Sequence, residues 1–109
     1  MPFDSTDTIH SSFGNDPDMS DLVEMFVDEM PDRIDHVQQL LQAADWDELG
    51  RFAHQMKGAA GSYGFNQLTP LAARVETAAR GASPEATILE TTTDLIDAFR
   101  RVRAGAEDP

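Results

Sequence analysis

The stretch Asp45-Trp46-Asp47-Glu48-Leu49-Gly50-Arg51-Phe52-Ala53-His54-Gln55-Met56-Lys57-Gly58-Ala59-Ala60-Gly61-Ser62-Tyr63-Gly64 carries the signals of one complete helix. Asp45 is placed to cap its start, and Glu48 follows at the spacing of a capping box. Leu49, Phe52, Ala53, Met56, Ala60 and Tyr63 recur at intervals of three and four, which makes a single apolar face. Gly64 stands where a terminal glycine takes the left-handed conformation. Inside this helix sit a histidine and three glycines, and each interior glycine costs about 1 kcal/mol relative to alanine. That cost calls for a physical reason.

Working outward, the same period recurs on both sides. Asp18 offers an N-cap, with Asp21 in the first turn favourable to the helix dipole. The stripe Leu22, Phe26, Met30, Ile34, Val37, Leu41 then runs through Pro31 without losing phase. A proline there removes a hydrogen bond and clashes with the preceding turn, so a kinked helix or two abutting helices are expected. Downstream, Leu68, Leu71, Ala72, Val75 and Ala79 form the next stripe, with Asn66 or Thr69 as its cap and Gly81 as its end. Ser83-Pro84 reads as a cap followed by proline at the start of a last helix with the stripe Ile88, Thr92, Leu95, Phe99, Val102. Arg100, Arg101 and Arg103 favour the dipole at its end. Met25, Met30 and Met56 fit core packing, as does Trp46.

No alternating pattern of useful length suggests a strand. Four stripes joined by short connections imply an all-α fold, an antiparallel four-helix bundle whose first long helix is kinked or split at Pro31. The bundle is expected over residues 18–104. Residues 1–17, polar with Phe3, Ile9 and Phe13 scattered through them, read as a flexible N-terminal segment whose later part lays Ile9 and Phe13 over the end of the core. Residues 105–109 read as a C-terminal tail.

Composition excludes several kinds of function. With no cysteine, structural disulfides and thiolate zinc sites are ruled out. No apolar run approaches the roughly 20 residues that span a bilayer, and Met1-Pro2-Phe3-Asp4 lacks the start of a secretory signal, so a soluble cytoplasmic domain is expected. The net charge of −12 repels nucleic acid and anionic lipid. It is unevenly placed. Residues 1–50 carry 13 acids against Arg33 alone, whereas residues 51–109 carry seven acids and seven bases. Between Arg51 and Pro84 the bases Arg51, Lys57, Arg74 and Arg80 face only Glu76, which suits an anionic group near His54. His36, among helix acids, and His10, in the N-terminal segment, read as surface residues.

At about 100° per residue, His54 lies roughly 150° from the centre of its helix's apolar stripe and faces solvent. The positions sharing its face are Gly50, Arg51, Lys57, Gly58 and Gly61. Small neighbours let something large approach the imidazole, and Lys57 can place an ammonium near an anion attached to the ring. Neither a nucleophile nor an orienting acid for a triad is nominated, and the helical neighbours offer no second metal ligand. A histidine that itself carries a phosphoryl group needs a free ring nitrogen, an open approach and nearby positive charge. All three are expected here.

The pattern His54-x-x-Lys57-Gly58-x5-Gly64, with Ala53 before it and Leu68 after it, resembles the signature of the histidine phosphotransfer (HPt) domain. Phe26, Asp45-Trp46, Ala72 and Glu76 are similar to the same family, and the likeness spans about residues 19–103. The resemblance implies a phosphorelay intermediate that takes a phosphoryl group from a receiver-domain aspartyl phosphate and passes it to another receiver. Carried over by position, His54 is the acceptor through Nε2, Lys57 supports the phosphoryl charge, Gly58 clears the docking surface and Gln55 adds a polar contact. Gly64 is the turn after the helix. Gly50, Arg51 and Gly61 join the docking face by the helical wheel alone. The implied partners are response-regulator receiver domains or a hybrid sensor kinase, and Mg2+ belongs to the receiver. The chain itself is expected to be a phosphocarrier rather than an enzyme, without a cofactor, and a monomer.

Two other readings compete. A phosphorylatable domain served by a chemotaxis-type kinase shares the motif but draws phosphate from ATP; no kinase core is expected after Pro109, which places the relay reading first. A non-catalytic helical adaptor would leave the intact His54 and Lys57 without a use.

Overall fold

The computed structural model describes residues 7–81 and 83–105, so Phe3 and the tail beyond Gly105 lie outside the described residues. A short strand β1 (Ile9–His10) is followed by five helices, α1 (Ser20–Asp28), α2 (Met30–Gln42), α3 (Trp46–Ser62), α4 (Leu68–Arg80) and α5 (Glu85–Arg101), and a second strand β2 (Val102–Arg103). The fold is all-α, a compact bundle of five helices with antiparallel helix contacts.

Helix α3 forms as its sequence dictates. The Glu48 backbone N–H donates to Asp45 Oδ1 at 3.2 Å. The reciprocal half of the box is not used, because the Glu48 carboxylate turns instead to Arg51 Nη1 at 2.7 Å. Leu49, Ala53, Met56 and Ala60 are buried, with Phe52 and Tyr63 half-buried beside them. At the far end Gly64 adopts φ +80°, and the N–H groups of Gly64 and Phe65 close onto Gly61 O and Ala60 O. This Schellman turn sends α4 back along α3. The α5 stripe is complete: Ile88, Thr92, Leu95, Phe99 and Val102 are all buried.

At Pro31 the structure chooses two abutting helices. Glu29 is both the C-cap of α1 and the N-cap of α2, and Pro31 sits in the first turn of α2, where a missing N–H costs little. Arg33 braces the junction: it donates to Phe26 O at 2.7 Å, pairs with Glu29 Oε1 at 3.2 Å and lies 4.4 Å above the Phe26 ring. Because the break resets the packing of α1, its buried residues are Val23 and Phe26. Leu22 and Met25, both expected inside, are 43% and 59% exposed. In α2 the buried residues are Met30, Val37 and Leu40, with Ile34 and Leu41 at its margin.

Three caps differ from expectation. Met19, not Asp18, precedes α1; Asp16 holds the approach instead, its Oδ1 accepting from Asp18 N–H and its backbone O from Ser20 N–H. Gln67, rather than Asn66 or Thr69, precedes α4 and makes no side-chain cap, while Pro70 falls within the first turn. Pro84 itself takes the cap position of α5, and Ser83 N–H bonds to Ala78 O.

Residues 7–17, expected as the later part of a flexible segment, are packed. Ile9 lies opposite Val102 and His10 opposite Arg103 in a parallel pairing, and Ile9 is only 5% exposed. Ser11 Oγ donates to Tyr63 O, and Ser12 N–H donates to Gly64 O at 2.9 Å. Phe13 packs half-buried against the core. The reason is local. The α3–α4 turn exposes carbonyls that this segment satisfies, and two-residue strands are too short to show alternation. Phe26 then stacks on Phe65 with ring centroids 5.2 Å apart and meets Tyr63 at 4.9 Å, so α1 closes the end of the bundle.

Helix α3 thus packs against α2 and α4, leaving one face outward. Among the described residues no helix is long and apolar enough to cross a membrane.

Candidate functional site

His54 stands on the outward face of α3, its side chain 60% exposed. Its Nδ1 lies 2.8 Å from Glu76 Oε2 on α4. A carboxylate can only accept, so Nδ1 carries the proton and the lone pair of a neutral ring resides on Nε2. The tautomer follows from the bond.

Glu76 is the hub of this arrangement. Lys57 Nζ donates to its Oε1 at 2.8 Å, and Arg80 Nη1 donates to its Oε2 at 2.9 Å. The Glu76 side chain is only 12% exposed, whereas Lys57 is 38% and Arg80 51% exposed. A carboxylate set so far into the surface needs these donors to remain charged. Its carboxyl is accordingly held below the ordinary value of 4.5, chiefly by the Lys57 hydrogen bond, against partial desolvation and with help from His54.

Sequence reading missed Glu76 as a partner of His54, although two signals pointed to it. It is the one acid between Arg51 and Pro84, and it stands four residues before Arg80, where an ion pair forms along one helix face. Their contact with α3 depends on the rotation of α4, which a single helix's pattern does not give.

The other expected site residues divide. Gly58 and Gly61 border open space: a side-chain carbon added at either would meet nothing within 4 Å. Gln55 is exposed beside His54. Arg51 is exposed but engaged with Glu48 at 2.7 Å and Asp47 at 4.0 Å. Gly50 is corrected. It is buried rather than open, because the Arg80 side chain lies across it, and an added carbon would come 2.8 Å from Arg80 Cγ.

His36 and His10 stand apart from this cluster. His36 is exposed, its ring 5.6 Å from that of Phe52, and His10 bonds to Gly105 O and Thr8 in the strand pair. Among the described residues no group of three or more His, Cys, Asp or Glu is placed to hold a metal ion.

A exposed imidazole whose inner nitrogen is tied to a carboxylate, flanked by a cation and by empty helix surface, suits transient attachment of an anion to Nε2. No curated protein and no solved structure shows a significant match to the chain. A family model described as the Hpt domain matches residues 21–104, which takes in α1 from its second residue, α2 to α5 and the whole His54 cluster. Hpt domains perform histidine phosphotransfer in phosphorelays and act with receiver domains. By that match, over most of its length, the chain belongs to the Hpt domain family.

Proposed function

We propose that His54 is the phosphoryl acceptor of a phosphorelay intermediate, loaded by the aspartyl phosphate of one receiver and discharged to the aspartate of another. The observation that carries this reading is the pairing of Nδ1 with Glu76 on a ring that is otherwise open. In the forward step the Nε2 lone pair attacks phosphorus and an N–P bond forms. The P–O bond to the receiver's aspartate breaks, and its electron pair leaves with that carboxylate. The proton on Nδ1 stays, so the phosphorylated ring carries positive charge beside the Glu76 carboxylate. Transfer onward reverses these steps.

Lys57 supports both ends of the exchange. It neutralises Glu76 in the resting site and brings an ammonium to the neighbourhood of the phosphoryl oxygens. Gly58 and Gly61 leave room for the receiver, Gln55 supplies a polar contact at its edge, and Mg2+ is contributed by the receiver. Arg51, tied to the first turn of α3, reaches the same partner only by leaving Glu48. On this reading the chain is a carrier, not an enzyme, working in the cytoplasm as a monomer with residues 18–104 as its functional core.

The test is transfer from a panel of receivers phosphorylated with acetyl phosphate. Acid-labile label should appear on the full chain and be absent from His54→Gln. Label on His54→Gln would defeat the site assignment. Label from a chemotaxis-type kinase core with ATP, but from no receiver, would replace the relay reading by the kinase-served one. Full signalling output from His54→Ala would favour an adaptor.

A further inference from the structure

We infer that Gly50 and Arg80 form a positioning pair: the side chain missing at Gly50 gives Arg80 a track across α3, and Arg80 thereby holds the Glu76 carboxylate against His54. The inference rests on His54 being the reactive group, and it assigns a task to two residues that the motif leaves without one.

Three observations support it. First, Gly50 is buried although it lies one turn before exposed His54 on the same row of α3. What buries it is Arg80: the nearest atoms to an added side-chain carbon are Arg80 Cγ at 2.8 Å, Nε at 3.2 Å and Cδ at 3.5 Å. Contact with the stem at 2.8 Å would force Arg80 to move. Second, Arg80 does not end in solvent at random. Its Nη1 donates at 2.9 Å to Oε2 of Glu76, the same oxygen that accepts from His54 Nδ1 at 2.8 Å. Third, the other oxygen, Oε1, is taken by Lys57 at 2.8 Å. Two cations therefore fix the carboxylate at both oxygens, and the plane they fix sets the direction from which Nδ1 is held. With Arg80 gone, Lys57 is the one cation left on the carboxylate, and Oε2 keeps no partner but the His54 ring that it is meant to orient.

The glycine serves this by staying small. Alanine favours helix over glycine, so Gly50→Ala should not harm the helix itself. Its effect should fall on Arg80, which is half exposed and can swing into water. The pair acts on reactivity through Glu76, without needing to touch the phosphoryl group.

The experiment uses the full chain, with phosphoramidate as a small donor that phosphorylates imidazole without a docking partner and releases ammonia. Gly50→Ala and Arg80→Ala are each expected to slow this reaction about tenfold, the scale of one charge-assisted hydrogen bond. Gly50→Ala is expected to leave the melting temperature unchanged or raised, and to add no further slowing in the Arg80→Ala background. In 15N–1H spectra at the His54 ring, the protected Nδ1–H signal of the wild type should be lost to solvent exchange in both single variants. An unchanged Nδ1–H signal and rate in Gly50→Ala would overturn the inference, as would additive slowing in the double variant. Wild-type chain that takes phosphate from no receiver would defeat the phosphorelay reading instead, while the Nδ1–H signal would still decide the Gly50–Arg80 arrangement.

Discussion

The two flanks of His54 on α3 use the same residue for opposite ends. One turn toward the N-terminus, Gly50 is small so that a side chain from α4 can fill its place. One and two turns toward the C-terminus, Gly58 and Gly61 are small and nothing from the protein fills theirs. On the first flank the missing side chain organises the histidine from within; on the second it leaves the ring accessible from outside. Glycine in a helix is costly in either place. The difference teaches that the cost offsets two separate needs, a held Nδ1 and an unobstructed Nε2.

The comparison can be broken most forcefully at its centre. Glu76→Ala removes the acceptor of Nδ1 and leaves Lys57 and Arg80 without their shared partner, so phosphorylation of His54 should slow by about 10- to 100-fold. The loss should be seen equally with phosphoramidate and with a phosphorylated receiver. Titration reaches the same end. Because the folded carboxyl releases its proton more readily than the unfolded one, the stabilisation it gives is complete above the ordinary value of 4.5 and is lost as pH falls through the lower folded value. A pH series of unfolding should show that loss in the wild type and a shallower acid limb in Glu76→Gln.

A bulky residue on the open flank should separate the two needs. Gly58→Leu is expected to raise the receiver concentration for half-maximal transfer by about tenfold, on the scale of a steric penalty of one to two kcal/mol at an interface. The phosphoramidate rate and the melting temperature should hold, since a carbon added at Gly58 points into open space with nothing within 4 Å. If both donors slowed alike, the open flank would be acting on the ring itself.

Smaller effects are expected where a glycine question is purely one of backbone. Gly64 and Ala44 occupy equivalent places in two Schellman turns, with φ of +80° and +52°. Ala44 N–H bonds to Leu41 O and Asp45 N–H to Leu40 O, as Gly64 and Phe65 do at the end of α3. Ala44→Gly should therefore stabilise by up to about 1 kcal/mol by relieving the left-handed strain. Gly64→Ala should destabilise by about 1–3 kcal/mol, because the new carbon adds that strain and also meets Ser11 Oγ at 2.6 Å and Phe13 Cδ2 at 2.8 Å. Chemical denaturation measures both.

Much of this molecule is legible in its sequence because the helical period is a local property. The stripes of α3 and α5, the Asp45 cap, the Gly64 stop and the outward direction of His54 all follow from residues within a few turns of one another. The misplaced features are those that depend on a neighbour. Leu22 and Met25 fit the period but lose their cover because the break at Glu29 lets α1 pack through Val23 and Phe26. Asp18, Asn66, Thr69 and Ser83 are good caps by type, yet the chain enters those helices at Met19, Gln67 and Pro84. In the site, a helical wheel groups Gly50 with Gly58 and Gly61 correctly by angle. It cannot tell that α4 lays Arg80 over one of them, nor that Glu76, 22 positions from His54, faces the ring.

The most direct measurement is the site of phosphorylation within the imidazole. Full-length chain labelled with 15N at histidine, phosphorylated by a receiver and followed by 15N and 31P spectroscopy, should show phosphorus bonded to Nε2 of His54 with a proton retained on Nδ1. Phosphorus on Nδ1, or on any residue other than His54, would contradict the account.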